Sequence, residues 1–312
     1  MQTINQAVTY RPARIKSGFW LVVLGAALWG VDPLFRKLLL DYLTSSQIVL
    51  LEHILLFLFA APVLWVHRSE LRGLKWQHVG ALLFLSWGGS ALATLLFTEA
   101  LASGNANAVV LLQKLQPLFA IILARVILRE SLPKHFSFLF PIALIGTYLL
   151  TFGWNIPFGH VNEFIQIGSL LSLGAAALWG GSTVMGRLML GKMEYGTVTS
   201  LRFILALPLL FVITAFEGSA WHFPSEGGPI AAIVINIIFQ AALPGLLSLL
   251  LYYKGLSNTK ASIATLAELS FPMVGVIINW AVFQEVVTLA QCLGFILIWT
   301  TLFMISRQNQ TQ

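Results

Sequence analysis

Five ionisable residues stand where water is scarce. Asp32, Glu52, Lys114, Arg202 and Glu268 each lie inside a run of apolar residues. A charged side chain at mid-bilayer costs at least ~2.5–3.5 kcal/mol, so each must face a cavity or a partner. Lys114 and Glu268 fit two roles. They can close a cavity wall as a structural ion pair, or either can contact a small molecule, with Glu268 also able to take up a proton. Asp32 has Arg36 four residues on, a spacing that suits a helical ion pair. Glu52 cannot share a helix face with the adjacent His53, so its partner must come from another helix, and Lys114 is the candidate at matching depth. His53 titrates near neutrality if it meets a cavity, and otherwise serves as a hydrogen-bonded core residue.

Prolines and aromatics fall beside these charges. Pro117 and Pro272 each interrupt a helical ladder and free a carbonyl one turn earlier, at Gln113 and Glu268. Such kinks widen a cavity or let half a helix pivot. Trp29, Trp87 and Trp179 lie deep in their segments and suit either core packing or the wall of a pocket that stacks on a ring or holds a cation. Tyr252 and Tyr253 fit a gate. No catalytic set emerges: the six histidines lack metal-ligand spacing, and no phosphate-cradling Gly-x-x-x-x-Gly-Lys run occurs. The lone Cys292 excludes an intrachain disulfide and a cysteine-cluster zinc site. The expectation is no enzyme activity, no metal and no cofactor.

The elements that must hold these residues are apolar helices. Of 312 residues, 58% are hydrophobic and 10% charged, against about 25% charged in a soluble domain. Mean hydropathy is +0.85. This composition excludes a soluble enzyme, a disordered chain and a nucleic-acid binder, despite the net charge of +6. Ten spans are read at roughly 18–40, 46–66, 77–98, 106–128, 135–153, 165–187, 196–216, 230–252, 260–283 and 287–305, since about 20 apolar residues cross a hydrocarbon core. The third and eighth are the least regular, being interrupted by Gly88-Gly89 and Pro244-Gly245. The first run, after Arg11, Arg14 and Lys16, is too long for a signal-peptide core and reads as a helix that stays.

With a cytoplasmic N-terminus, Lys and Arg concentrate on the inner side. Examples are Arg68, Arg72, Lys75, Arg125, Arg129, Lys134, Arg187, Lys192, Lys254, Lys260 and Arg307. The outer side keeps Arg36 and Lys37, with Glu99, Glu163, Glu217 and Glu226. Both termini are therefore expected in the cytoplasm. Measured from that side along the helical rise, Asp32 and Glu52 lie at roughly 21 Å, Lys114 at roughly 18 Å and Glu268 at roughly 12 Å. Trp20, Trp65, Trp76 and Trp154 lie near helix ends and suit interfacial anchors. Glu99 and Lys254 suit solvated helix ends on opposite faces.

The two halves of the chain repeat. Gly25-Ala-Ala-Leu-Trp-Gly30 matches Ala175-Ala-Ala-Leu-Trp-Gly180, Leu95–Leu101 matches Leu250–Leu256, and Pro117 to Glu130 matches Pro272 to Glu285. The offset is about 150 to 155 residues, or five spans. An odd number inverts the second copy, which is how many secondary transporters are built, with the substrate site near the midplane. These motifs resemble the drug/metabolite transporter superfamily, and within it the EamA family, over residues 18 to 305. The resemblance implies an all-α integral membrane protein, with ten transmembrane helices as two inverted five-helix repeats at 18–153 and 165–305. It implies a central cavity lined by helices 1, 3, 4, 6, 8 and 9.

The function expected is secondary active transport of small polar or amphipathic metabolites, directed outward, by alternating access through a central cavity. Charges of both signs favour an amino-acid-like zwitterion. An organic cation, amine or drug, and a membrane channel, are the alternatives. Substrate contacts are expected from Trp29, Asp32, Glu52, Trp87, Lys114, Trp179 and Glu268. Coupling or gating is expected from His53, Pro117, Arg202, Tyr252 and Pro272. The expected partners are a small molecule, the lipid bilayer, and a proton or counter-substrate. No nucleic acid is expected, a homodimer is left open, and the expected location is a bacterial inner membrane.

Overall fold

The computed structural model describes residues 18–103, 106–132, 135–156, 167–224, 227–284 and 286–309. Arg11, Arg14, Lys16, Lys134, Glu163, Glu226 and Glu285 lie outside the described residues, as does the side chain of Lys37. The described chain is all helix and connection. Nine stretches are long and apolar enough to span a membrane: α1 Phe19–Leu40, α2 Ser45–Val66, α3 Trp76–Ala100, α4 Ala108–Ile127, α6 Ile167–Leu190, α7 Tyr195–Glu217, α8 Gly227–Leu256, α9 Ala261–Val282 and α10 Leu289–Arg307. The tenth, α5 Phe136–Phe152, has 17 residues, close to the shortest length that crosses a hydrocarbon core.

Local sequence sets the helix ends. Thr44 opens α2 with a capping box: its hydroxyl accepts from Gln47 N at 3.3 Å, and Gln47 Oε1 accepts from Thr44 N at 3.0 Å. Gly153 and Gly218 close α5 and α7 at φ 65° and 64°, a region that favours glycine.

Several helices are interrupted at matched places. α4 stops at Gln113, turns through Lys114 and Leu115, and restarts at Gln116 with Pro117 in its first turn. α9 narrows to a 3-10 turn over Glu268–Ser270 before Pro272. Proline supplies no N–H and clashes with the preceding turn, so the ladder breaks where both residues lead one to expect. α3 and α8 do span, each through a π-helical segment, Phe84–Leu92 and Ala241–Leu247, that holds the Gly-Gly and Pro-Gly pairs. α1 also breaks, at Gly30–Val31, leaving Asp32 to start its second piece.

The main helix pairings recur when the halves are exchanged. α1 lies on α8 and α9, as α6 lies on α3 and α4, while α2 pairs with α7 and α5 with α10. The Ala-Leu-Trp-Gly motifs explain part of this. A Cβ on Gly30 would sit 2.5 Å from the Phe271 carbonyl oxygen, and one on Gly180 would sit 2.8 Å from that of Gln116. Each motif glycine thus lets a helix touch the other half's backbone at the residue just before Pro272 or Pro117. The outer surface is apolar, with Leu58, Ile122, Phe138, Phe216 and Leu170 exposed. Trp65, Trp76 and Trp154 are exposed as well, at helix ends.

Candidate functional site

Glu268 stands at the meeting of four helices. Its carboxylate accepts from Gln116 Nε2 of α4 at 2.6 Å, from Thr183 Oγ1 of α6 at 2.9 Å, and from the Tyr252 hydroxyl of α8. Tyr252 and Thr183 also bond each other at 3.2 Å. From α1, the Trp29 ring packs on Tyr252 with 5.0 Å between centroids. The 3-10 turn in α9 aims Glu268 inward, and Pro117 restarts α4 so that Gln116 faces it. The expected pair of Lys114 with Glu268 is not formed. Polar but uncharged groups already fill the Glu268 oxygens, and the break in α4 carries the Lys114 ammonium to the face of the Phe271 ring, 4.0 Å from its centroid.

Arg202 builds a second network beside the first. From α7 it donates to Ser90 Oγ of α3 at 2.8 Å, Ser182 Oγ of α6 at 3.2 Å and the Tyr253 hydroxyl of α8 at 2.6 Å. Ser182 precedes Thr183, and Tyr253 follows Tyr252. Consecutive residues on α6 and on α8 therefore serve the anion and the cation in turn. The ion pairs found among the described residues do not include Arg202. Gln116, Thr183, Ser90 and Ser182 were not legible as site residues. Small hydroxyl residues are common in membrane helices, and the signal available was position: Gln116 flanks a proline and Thr183 lies one turn beyond Trp179.

A third cluster joins α1, α2 and α8. Arg36 grips Asp32 with Nε and Nη2, each at 2.7 Å, a two-pronged contact that suits a guanidinium. Gln240 of α8 donates to the same carboxylate. Glu52 reaches Arg36 at 3.8 Å, so its partner is Arg36 and not the expected Lys114. The break at Gly30–Val31 sets the second piece of α1 beside α2, and a Cβ on Gly245 would lie 2.9 Å from Glu52 Oε1.

The remaining expected residues make packing contacts and hydrogen bonds to main-chain carbonyls. His53 is buried, its Nδ1 is 2.8 Å from the Val49 carbonyl oxygen, and its ring meets Phe203 edge-on at 5.7 Å. Trp87 donates to the Leu205 carbonyl at 2.8 Å, tying α3 to α7. Trp179 packs on Phe97 at 5.5 Å. Glu99 and Lys254 are exposed, on different helices. Glu130, noted only as part of a repeat, holds the start of α9: its carboxylate accepts from Ala261 N at 2.9 Å, Ser262 N at 3.1 Å and Ser262 Oγ at 3.0 Å. That contact joins the two halves and satisfies helix N–H groups that have no intrahelical acceptor.

Paired breaks in membrane helices, with ionisable side chains at the breaks, are a construction that many secondary transporters share. The profile of the EamA-like transporter family matches residues 16–152 and again 166–307, and the chain belongs to that family. It is similar to the riboflavin transporter ImpX of Fusobacterium nucleatum, at 32% identity over 94% of this chain and 98% of that one. It is also similar to the uncharacterized inner membrane transporter YicL of Salmonella typhimurium, at 25% identity over 95% of this chain and 97% of that one. A crystal structure of a protein 16% identical superposes with a TM-score of 0.73 over 91% of this chain and 94% of that one, and so shares the fold. The chain is thus an integral membrane transporter of small molecules, not an enzyme.

Proposed function

We propose that the chain carries a planar, uncharged, hydroxylated ring system of the riboflavin class across the membrane by alternating access. The observation that carries this reading is the similarity to ImpX, at 32% identity along nearly the whole of both chains. The site chemistry supports it. Asp32, Arg36 and Glu52 engage one another, and Glu268 and Arg202 are wrapped in hydroxyls and an amide. What such a site offers a ligand is hydrogen-bond partners beside the Trp29 and Tyr252 rings, which suits a neutral heterocycle. The two halves would rock against each other in inverted orientation, with both termini cytoplasmic as the Lys and Arg distribution favours. A proton on Glu268 or Glu52 would drive the cycle.

Riboflavin uptake and counterflow in proteoliposomes test this. The expected result is saturable flux that unlabelled riboflavin accelerates from the far side. Absence of flux, or conductance without saturation as in a channel, sinks it. A second reading, the amino-acid-like zwitterion, is favoured by the Arg202 and Glu268 networks standing side by side, one for a carboxylate and one for an ammonium. Flux of amino acids without riboflavin flux would choose it.

A further inference from the structure

Where α2 ends and α7 begins, three metal-ligating side chains converge. His67 follows α2 directly, Glu70 lies in the 3-10 turn Arg68–Leu71, and Glu194 immediately precedes Tyr195 of α7. One ligand atom from each lies within 4.8 Å of the other two. His67 Nδ1 is 3.0 Å from the Val63 carbonyl oxygen. A carbonyl can only accept, so Nδ1 carries the proton and the neutral ring keeps its lone pair on Nε2. That Nε2 stands 3.8 Å from Glu194 Oε2, too far for a hydrogen bond. It is near the roughly 3.4 Å that separates two ligands of one tetrahedral ion with bonds of about 2.1 Å. Glu70 Oε2 accepts from Glu194 N at 2.9 Å, which holds its carboxylate beside the other two groups. Arg68, Arg72, Lys75 and Lys192 flank the cluster in sequence. Among the described residues, none of these four forms an ion pair with either carboxylate. Arg68 turns instead to the Trp65 carbonyl, at 2.8 Å, and to that residue's ring.

We propose that His67, Glu70 and Glu194 bind a first-row divalent cation of the zinc type. Two carboxylates and an imidazole lone pair gathered at one point repel one another, and a cation between them turns that repulsion into attraction. One nitrogen with carboxylate oxygens is a zinc-type donor set, whereas magnesium and calcium favour oxygen alone. Three protein ligands leave the remaining position to water. The Val63 carbonyl plays the part of the outer hydrogen bond in metal sites generally, fixing the tautomer and the orientation of the ring. The ion would join the two halves, since α2 lies in the first stretch that the family profile matches and α7 in the second. The opposite end of this helix pair is joined by hydrogen bonds, with Ser46 donating to Glu217 and Gln47 Nε2 to the Ser219 carbonyl at 3.1 Å. The spacing of the histidines does not reveal such a site, because Glu194 comes from the other half of the chain. The site stands whether or not the riboflavin-class reading holds.

The test uses the full chain, purified without a histidine tag, stripped with a chelator and placed in nanodiscs of phosphatidylcholine. Micromolar zinc chloride is expected to raise the midpoint of thermal unfolding by several degrees, in a saturable way that a chelator reverses, since a ligand of the folded chain alone stabilises it. Magnesium chloride at the same concentration should not. His67→Ala and Glu194→Gln should each abolish the shift. His222→Ala and Cys292→Ser remove ligand-type side chains elsewhere and should retain it. Cobalt(II) gives a readout independent of stability: its visible d–d bands should sharpen and intensify on the parent chain and not on His67→Ala or Glu194→Gln. No shift with zinc, an equal shift with magnesium, or a full shift or unchanged cobalt bands in either ligand variant would overturn the site. Riboflavin flux is measured separately and does not enter this outcome.

Discussion

Glu268 illustrates how much a single buried carboxylate organises. Three donors, from Gln116, Thr183 and Tyr252, converge on it. Removing it leaves buried donors unpaired, each at roughly 1–3 kcal/mol. Glu268→Ala is therefore expected to lower stability by about 2–4 kcal/mol, measured by thermal unfolding of the purified protein. Glu268→Gln keeps one acceptor oxygen and should lose less. If Glu268 carries the driving proton, Glu268→Gln flux should also become indifferent to an imposed pH gradient, and a response equal to that of the parent chain would assign the proton elsewhere. Arg202 is the cationic counterpart, its partners likewise neutral: two serines and a tyrosine. Its charge is dispersed over neutral dipoles.

Helices give these residues their aim through breaks and close contacts. The Phe271 carbonyl beside Gly30 and the Gln116 carbonyl beside Gly180 bring α9 onto α1 and α4 onto α6. Gly180→Val must push these helices apart, and overpacking of this kind costs about 1–3 kcal/mol. Gly30→Val should behave alike. Gly80 in α3 has no atom within 4 Å of its notional Cβ, so Gly80→Ala is expected to be neutral or to stabilise by up to ~1 kcal/mol through helix propensity. Thermal unfolding of the three variants separates contact from propensity. Equal loss in all three would discard the close-contact account. The π segments of α3 and α8 act similarly: each absorbs a Gly-Gly or Pro-Gly pair without ending the helix, and that of α3 carries Ser90, which accepts from Arg202.

Over the whole molecule, exchange symmetry and charge distribution bear on how the chain sits in the bilayer. With Cys292 changed to Ser, a single cysteine introduced as Ser219→Cys should react with a membrane-impermeant maleimide in intact cells. Ser69→Cys should react only after permeabilisation. The opposite pattern would reverse the orientation that the basic residues favour. The Glu130 contact to the start of α9 bridges the two halves.

Composition, periodicity and the five-span offset already carried the all-helical membrane class, the ten helices and the places where α4 and α9 break. These depend on chain-local properties: apolar length against bilayer thickness, and proline against the helical ladder. The Asp32–Arg36 pair was equally legible, because it lies within one helix at a spacing of four. Pairings between helices were not. Depth along a span says nothing about which way a side chain turns, so Lys114 and Glu268 looked matched although one faces a phenyl ring and the other three neutral donors. Glu52 likewise found Arg36 instead of Lys114. Helix rotation and crossing are set by glycine contacts and broken turns spread over both halves, and those are properties of the assembled bundle.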